Sequence, residues 1–143
     1  QRINPDKASF KESQIQYYRH AEIDHAALYK VMTLDPALSE KGDYNGIVVS
    51  GTDADNVTYI LESIKLRGDL STIVERIFQL KKKHNPDIIG VEMYGFQKYL
   101  KFWLEEEMTK RNDFFSIVQL EAGQKKSKQE NPRACRDARF GPL

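Results

Sequence analysis

The sequence predicts an α/β domain built on a mixed sheet, with elements in the order β-β-β-α-β-α-β. Three observations carry this. Strand-length runs at 28–35, 45–51 and 56–66 follow one another in close order. Residues 69–84 then repeat apolar side chains at helical spacing. Ile88-Ile89-Gly90-Val91 is a continuous apolar run of the kind expected in a strand buried on both faces. Three antiparallel strands followed by right-handed helical crossovers give antiparallel and then parallel strands, with helices on both faces of the sheet.

The bulk composition bounds this reading. A chain of 143 residues with 40% hydrophobic and 30% charged residues fits one soluble domain with a real core. No apolar run approaches the ~20 residues needed to span a membrane, and no charged-then-apolar signal segment opens the chain. A single cysteine, Cys135, excludes an internal disulfide and a cysteine-based zinc site and fits a reducing compartment. His20, His25 and His84 form no ligand pattern. Charge is unevenly spread. Of 22 basic and 21 acidic residues, positions 124–143 hold six and two, leaving 16 and 19 before them and a balance of −3. A mildly acidic body with a basic tail permits a polyanionic partner without demanding one, since a basic tail is more often just solvated.

In chain order, residues 1–27 are polar with few apolar anchors and read as a linker or connector, with a short helix around 10–19, covering one edge of the domain. Gln1 is no initiator methionine, which reads as a piece of a longer chain. The core is expected over 28–123. The first strand ends in Asp35, and Gly46-Ile47-Val48-Val49-Ser50 centres the second. Gly51-Thr52-Asp53-Ala54-Asp55-Asn56 is turn chemistry joining the second strand to the third, with Asp53 and Asp55 as turn residues. Asp69 or Ser71 caps the first helix, whose stripe is Leu70, Ile73, Val74, Ile77, Phe78 and Leu80. Lys81-Lys82-Lys83 complements its dipole and Asn85-Pro86-Asp87 ends it. The fourth strand closes at Glu92, a second helix spans about 95–111, and Phe114 to Leu120 forms the fifth strand. Residues 124–143 are a basic tail.

Chemistry is sought at the strand ends. In parallel sheets ligands gather at the carboxyl ends of the strands, and Asp35 and Glu92 both close strands there. Asp43, returning along a hairpin from Asp35, is a further acid nearby. Carboxylates without histidine or thiolate suit magnesium or manganese, and two such ions roughly 3.5–4 Å apart serve phosphodiester cleavage. The plainer alternatives are turn residues for Asp35 and Asp43 and a solvent-facing or helix-capping acid for Glu92.

The run Leu34-Asp35-Pro36-Ala37, Gly42-Asp43 before the second strand, and Val91-Glu92-x-x-Gly95-x-Gln97 after the fourth resembles the nuclease domain of large terminase subunits. These are the DNA-packaging motors of tailed phages, prophages and herpesviruses. The Phe10 to Tyr18 segment is similar to the connector before that domain, and Lys126-Ser127-Lys128 to a lysine-bearing stretch after the fifth strand. The resemblance covers about residues 10–130 and implies an RNase H-like fold with an endonuclease that cuts concatemeric double-stranded DNA. It implies a two-metal Mg2+ or Mn2+ site with Asp35 bridging, Glu92 as the fourth-strand acid and Asp43 as an additional one. Lys125, Lys126 and Lys128 are read from their charge as contacts to DNA phosphates. The implied partners are an ATPase domain earlier in the same full-length chain, the small terminase subunit and the portal, in the cytoplasm of a bacterial host cell.

The sequence departs from that pattern late in the chain. No good match to a third core acid is found, since Asp137 falls too early, and Asn131-Pro132 stands where relatives continue into a helix. A second reading therefore keeps the fold and drops catalysis, leaving a module that binds DNA or motor partners. A third is one lobe of an actin-like or sugar-kinase ATPase. Such a lobe needs a Gly- and Ser/Thr-rich turn after the first Asp, where this chain has Pro36-Ala37-Leu38-Ser39-Glu40-Lys41.

Overall fold

The computed structural model describes residues 12–36, 44–92, 97–120 and 138–140. Its centre is a mixed sheet of the strands β2 (Tyr29–Asp35), β3 (Asn45–Thr52), β4 (Thr58–Leu66), β5 (Ile88–Glu92) and β6 (Ile117–Leu120). Two short strands, β1 (Gln16–Tyr17) and β7 (Ala138–Phe140), extend one edge, giving the order β1-β7-β4-β3-β2-β5-β6. Helices α1 (Leu70–His84) and α2 (Gln97–Arg111) connect β4 to β5 and β5 to β6. The expected α/β mixed sheet is therefore present. β2–β3 and β3–β4 are antiparallel, while β2–β5 and β5–β6 are parallel. None of the helices among the described residues is long and apolar enough to cross a membrane.

Local chemistry explains these elements. In β3 burial alternates residue by residue, with Asn45, Ile47, Val49 and Gly51 turned inward. Asp53 organises the turn into β4. One of its carboxylate oxygens accepts from the backbone N–H groups of Asp55 and Val57, both at 2.9 Å, and the other accepts from the Tyr59 hydroxyl at 3.0 Å. Both aspartates of that loop thus stand in a turn, and Asn56 completes it with φ of 61°. Where Val49 pairs with Glu62 but Ser50 with Ile60, Leu61 is left over as a bulge. Asp69 caps α1, accepting from the Thr72 N–H at 2.9 Å, and Asn85 ends it in the left-handed conformation before Pro86.

The helices differ from expectation in one respect. Both described helices pack on one face of the sheet, where Ile73, Val74, Ile77, Phe78 and Leu80 of α1 and Leu100, Leu104 and Met108 of α2 join Met32, Leu34, Ile47, Val49, Ile89 and Val91 in one core. The strand order supplies the reason. From β4 to β5 and from β5 to β6 the chain advances in the same direction across the sheet. Two right-handed crossovers advancing the same way must lie on the same side. Two lysines of α1 also have definite partners: Lys81 pairs with Asp113, and Lys83, together with His84, reaches Glu62 on β4.

The amino-terminal segment also differs. In place of a helix across 10–19, residues Glu12–Gln14 form a 3-10 turn and β1 joins the sheet edge through β7. Tyr18 is buried with Leu28 and Tyr59 in a small second cluster, its hydroxyl donating to the Ile60 carbonyl at 2.9 Å. The first residues described thus extend one edge of the sheet.

Candidate metal and nucleic-acid site

Asp35 is the last residue of β2 and Glu92 the last of β5. These strands are adjacent and parallel, and their register aligns Val31 with Ile88 and Leu34 with Val91. The next residue on each strand is Asp35 and Glu92, so the two acids sit side by side at the carboxyl edge. Alternation turns Met32, Leu34, Ile89 and Val91 into the helix-covered core. Asp35 and Glu92, one step on, face the opposite side of the sheet. Asp35 is exposed and Glu92 half-buried.

Two glycines shape the space around this pair. Asp35 stands opposite Gly46 on β3, where an added Cβ would be 4.0 Å from the Asp35 Cβ. The missing side chain keeps the flank of Asp35 low. On the other flank, Leu120 pairs with Glu92 and leans back over Gly90. A Cβ at Gly90 would lie 2.9 Å from Leu120 Cδ1, so this close approach depends on glycine.

Beyond Gly46 the same rung continues to Lys65 on β4. Directly opposed residues share a face, so Lys65 lies on the face that carries Asp35. Arg67, two residues on, follows it. Both cations rest on the ring of Tyr44, Lys65 Nζ at 4.0 Å and Arg67 Cζ at 4.1 Å from its centroid. Tyr44 is 45% exposed. These three were not among the residues expected from the sequence. Their only signal there is the two-residue spacing of Lys65 and Arg67 on the polar side of the third strand.

Asp43, Lys125, Lys126 and Lys128 lie outside the described residues, as does Asp137. Among the described residues, no three His, Cys, Asp or Glu side chains gather as a metal centre. His20 and His25 stack their rings with centroids 3.8 Å apart, and His25 Nε2 is 3.0 Å from the His20 carbonyl, in a turn remote from the carboxylate edge. The Asp35–Glu92 pair meets a hard cation's requirements in donor type and adjacency: oxygen ligands at one sheet edge, one of them exposed. Two acids are fewer ligands than a closed site requires.

On the helix side of the sheet, Glu62 has its proton affinity moved. Burial works to raise its pKa, but hydrogen bonds from His84 and Lys83 and their nearby charges outweigh that and hold it below the ordinary range.

No protein-family model matches this chain, and no curated protein sequence does. Solved structures do. The nuclease domain of the large terminase subunit gp2 of bacterial virus Sf6, determined with manganese and beta-thujaplicinol, superposes with a TM-score of 0.53 at 12% identity, over 73% of this chain and 42% of that one. RuvC of T. thermophilus in complex with a Holliday junction substrate gives 0.49 at 12% identity, over 65% and 66%. The human cytomegalovirus terminase nuclease domain gives 0.42 at 14% identity, over 63% and 44%. The chain thus spans less than two thirds of the length of each. Of these three, the Sf6 domain alone exceeds 0.5, and that likeness establishes an RNase H-like fold.

Proposed function

We propose that this chain is a metal-dependent endonuclease domain that cleaves double-stranded DNA, in the manner of a DNA-packaging terminase. The observation that carries the reading is the placement of Asp35 and Glu92 at the ends of adjacent parallel strands, on the sheet face away from both described helices. The resemblance of the Leu34 to Ala37 and Val91 to Gln97 segments to large terminase subunits supports it. So does a fold shared with a terminase nuclease domain that was determined with manganese.

In this reading Asp35 and Glu92 would hold Mg2+ or Mn2+, with Asp35 as the central ligand and Asp43 as an additional acid. Bound there, the ions supply Lewis-acid polarisation of the phosphodiester and ease deprotonation of the attacking water. The chain's own residues do the positioning. Two stiff neighbouring strands fix the separation of the acids, and the low Gly46 flank leaves room for a nucleic-acid backbone to approach Asp35. Lys125, Lys126 and Lys128 follow the last core strand as phosphate contacts. The parent protein then carries its ATPase earlier in the chain and works with a small subunit and portal in the host cytoplasm.

Cleavage of supercoiled plasmid and of concatemeric duplex DNA tests this, using the full-length protein that contains the chain. Cutting is expected with Mg2+ or Mn2+, to stop with chelator, and to fall at least about a hundredfold in Asp35→Asn or Glu92→Gln, as for removal of a group that stabilises transition-state charge. Chelator-resistant cutting, or full activity in those variants, contradicts the reading. Duplex binding with no cutting under any metal favours the catalytically incomplete module instead, for which the unmatched third acid is the sequence observation.

A further inference from the structure

We propose that Tyr44, Lys65 and Arg67 form a phosphate-binding step that seats one strand of duplex DNA beside the Asp35–Glu92 pair. This rests on the nuclease reading for its purpose but on separate residues for its substance. The cations stand on the same face and the same edge of the sheet as the two acids. β4 runs parallel to β2, because each is antiparallel to β3. Its carboxyl end, with Lys65 and then Arg67, therefore opens to the side where Asp35 and Glu92 end.

The electrostatics of the step call for an anion. Lys65 and Arg67 are like charges sharing one aromatic ring, at 4.0 and 4.1 Å from its centroid. Both are exposed, and among the described residues no carboxylate forms an ion pair with either. The ring fixes where the two positive groups stand, which limits the side-chain entropy lost when a phosphate binds. Conversely, Asp35 and Glu92 repel a phosphate backbone, and residues 1–123 carry a net −3. A duplex drawn to this edge needs positive charge close to the acids, and the step provides it.

The spacing fits a nucleic-acid strand. Lys65 and Asp35 lie two strands apart on one rung with Gly46 between them, which at about 4.8 Å per strand is roughly 10 Å. That is within reach of neighbouring phosphates on one strand, which are farther apart than their axial rise of about 3.4 Å because the backbone winds around the axis. A phosphate held at Lys65 and Arg67 would place the backbone one or two nucleotides on over the acids, crossing the sheet where Gly46 has no side chain. These residues are positioning residues: they hold the strand and do not touch the reacting atoms.

The test is binding of a labelled DNA duplex to the full-length protein, measured against salt in EDTA so that no cutting intervenes. Lys65→Gln/Arg67→Gln is expected to weaken binding about tenfold or more at low salt and to flatten the plot of log K against log salt by about two. Lys65→Arg/Arg67→Lys should restore both, and Tyr44→Leu should weaken binding less than the double charge removal. Lys82→Gln, an exposed charge on α1, should change neither quantity. If cleavage is present, the double variant should raise KM more than it lowers kcat. A folded double variant with unchanged affinity and slope overturns the proposal, as does a wild-type protein that binds no duplex at low salt. The two readings fail separately. A protein that binds through this step but never cuts removes the nuclease reading alone, whereas one that cuts through Asp35 while indifferent to Lys65 and Arg67 removes this one.

Discussion

The two faces of the sheet are built for different ends. On one, side chains from β2, β3 and β5 meet α1 and α2 in a continuous apolar core in which Met32, Ile77, Ile89 and Leu104 are wholly buried. On the other, Val31, Thr33 and Val48 are half-buried and Val118 and Leu120 exposed, and the residues that gather at its carboxyl edge are charged: Asp35, Glu92, Lys65 and Arg67. The polar side chains of that face lean on their own sheet. Thr33 Oγ1 donates to the Val48 carbonyl at 3.4 Å and Ser50 Oγ to the Val31 carbonyl at 3.5 Å. One alternating strand pattern thus supplies both an apolar core and a charged edge. Period-two geometry lets Leu34 and Val91 anchor the core while Asp35 and Glu92, their neighbours in sequence, turn the other way.

Substitutions that probe each face separately sharpen the contrast. The largest effect is expected from Leu104→Ala, which removes a wholly buried side chain of α2 and should cost about 2–5 kcal/mol in urea or thermal unfolding. Glu62→Gln follows. It breaks the contacts that tie β4 to the end of α1 through Lys83 and His84, and should cost about 1–2 kcal/mol at pH 7. Because the folded-state pKa of Glu62 is lowered, its contribution is fully present above the ordinary glutamate value of 4.5 and is lost as pH falls through the depressed one. The gap between wild type and Glu62→Gln should therefore close in acid. The smallest effect is expected from Val118→Thr on the open face, within about 0.5 kcal/mol of wild type. A cost there comparable to Leu104→Ala would mean that this face is a packed core in solution.

Much of this division was legible in the sequence, and what was missed has physical causes. Asp35 and Glu92 stood out because each closes an apolar run, and the element order brought the first and fourth strands together. The cap at Asp69 and the turn at Asp53 follow from local side-chain hydrogen bonding, which short sequence patterns record well. Placing helices on both faces overlooked the direction of travel: two crossovers that advance the same way share a side. The aromatic residues of α2 were not separable by pattern, since Tyr99, Phe102 and Trp103 turn outward while Leu100, Leu104 and Met108 turn in. Lys65 and Arg67 escaped notice because their meaning is set across the sheet, by Gly46 and Asp35 on other strands. The five-residue separation of His20 and His25 rules out one helical face, yet a turn stacks their rings all the same.

The central claim is that Asp35 and Glu92 jointly hold a divalent ion, and the most direct test reads the ion itself. Titration of the protein into Mn2+, followed by the loss of the free-ion electron paramagnetic resonance signal, measures binding without any need for cleavage. The account predicts saturable uptake by the wild-type protein, with at least about a tenfold weakening in both Asp35→Asn and Glu92→Gln, worth about 1.4 kcal/mol or more. Uptake that is equal in the wild type and both variants would contradict it.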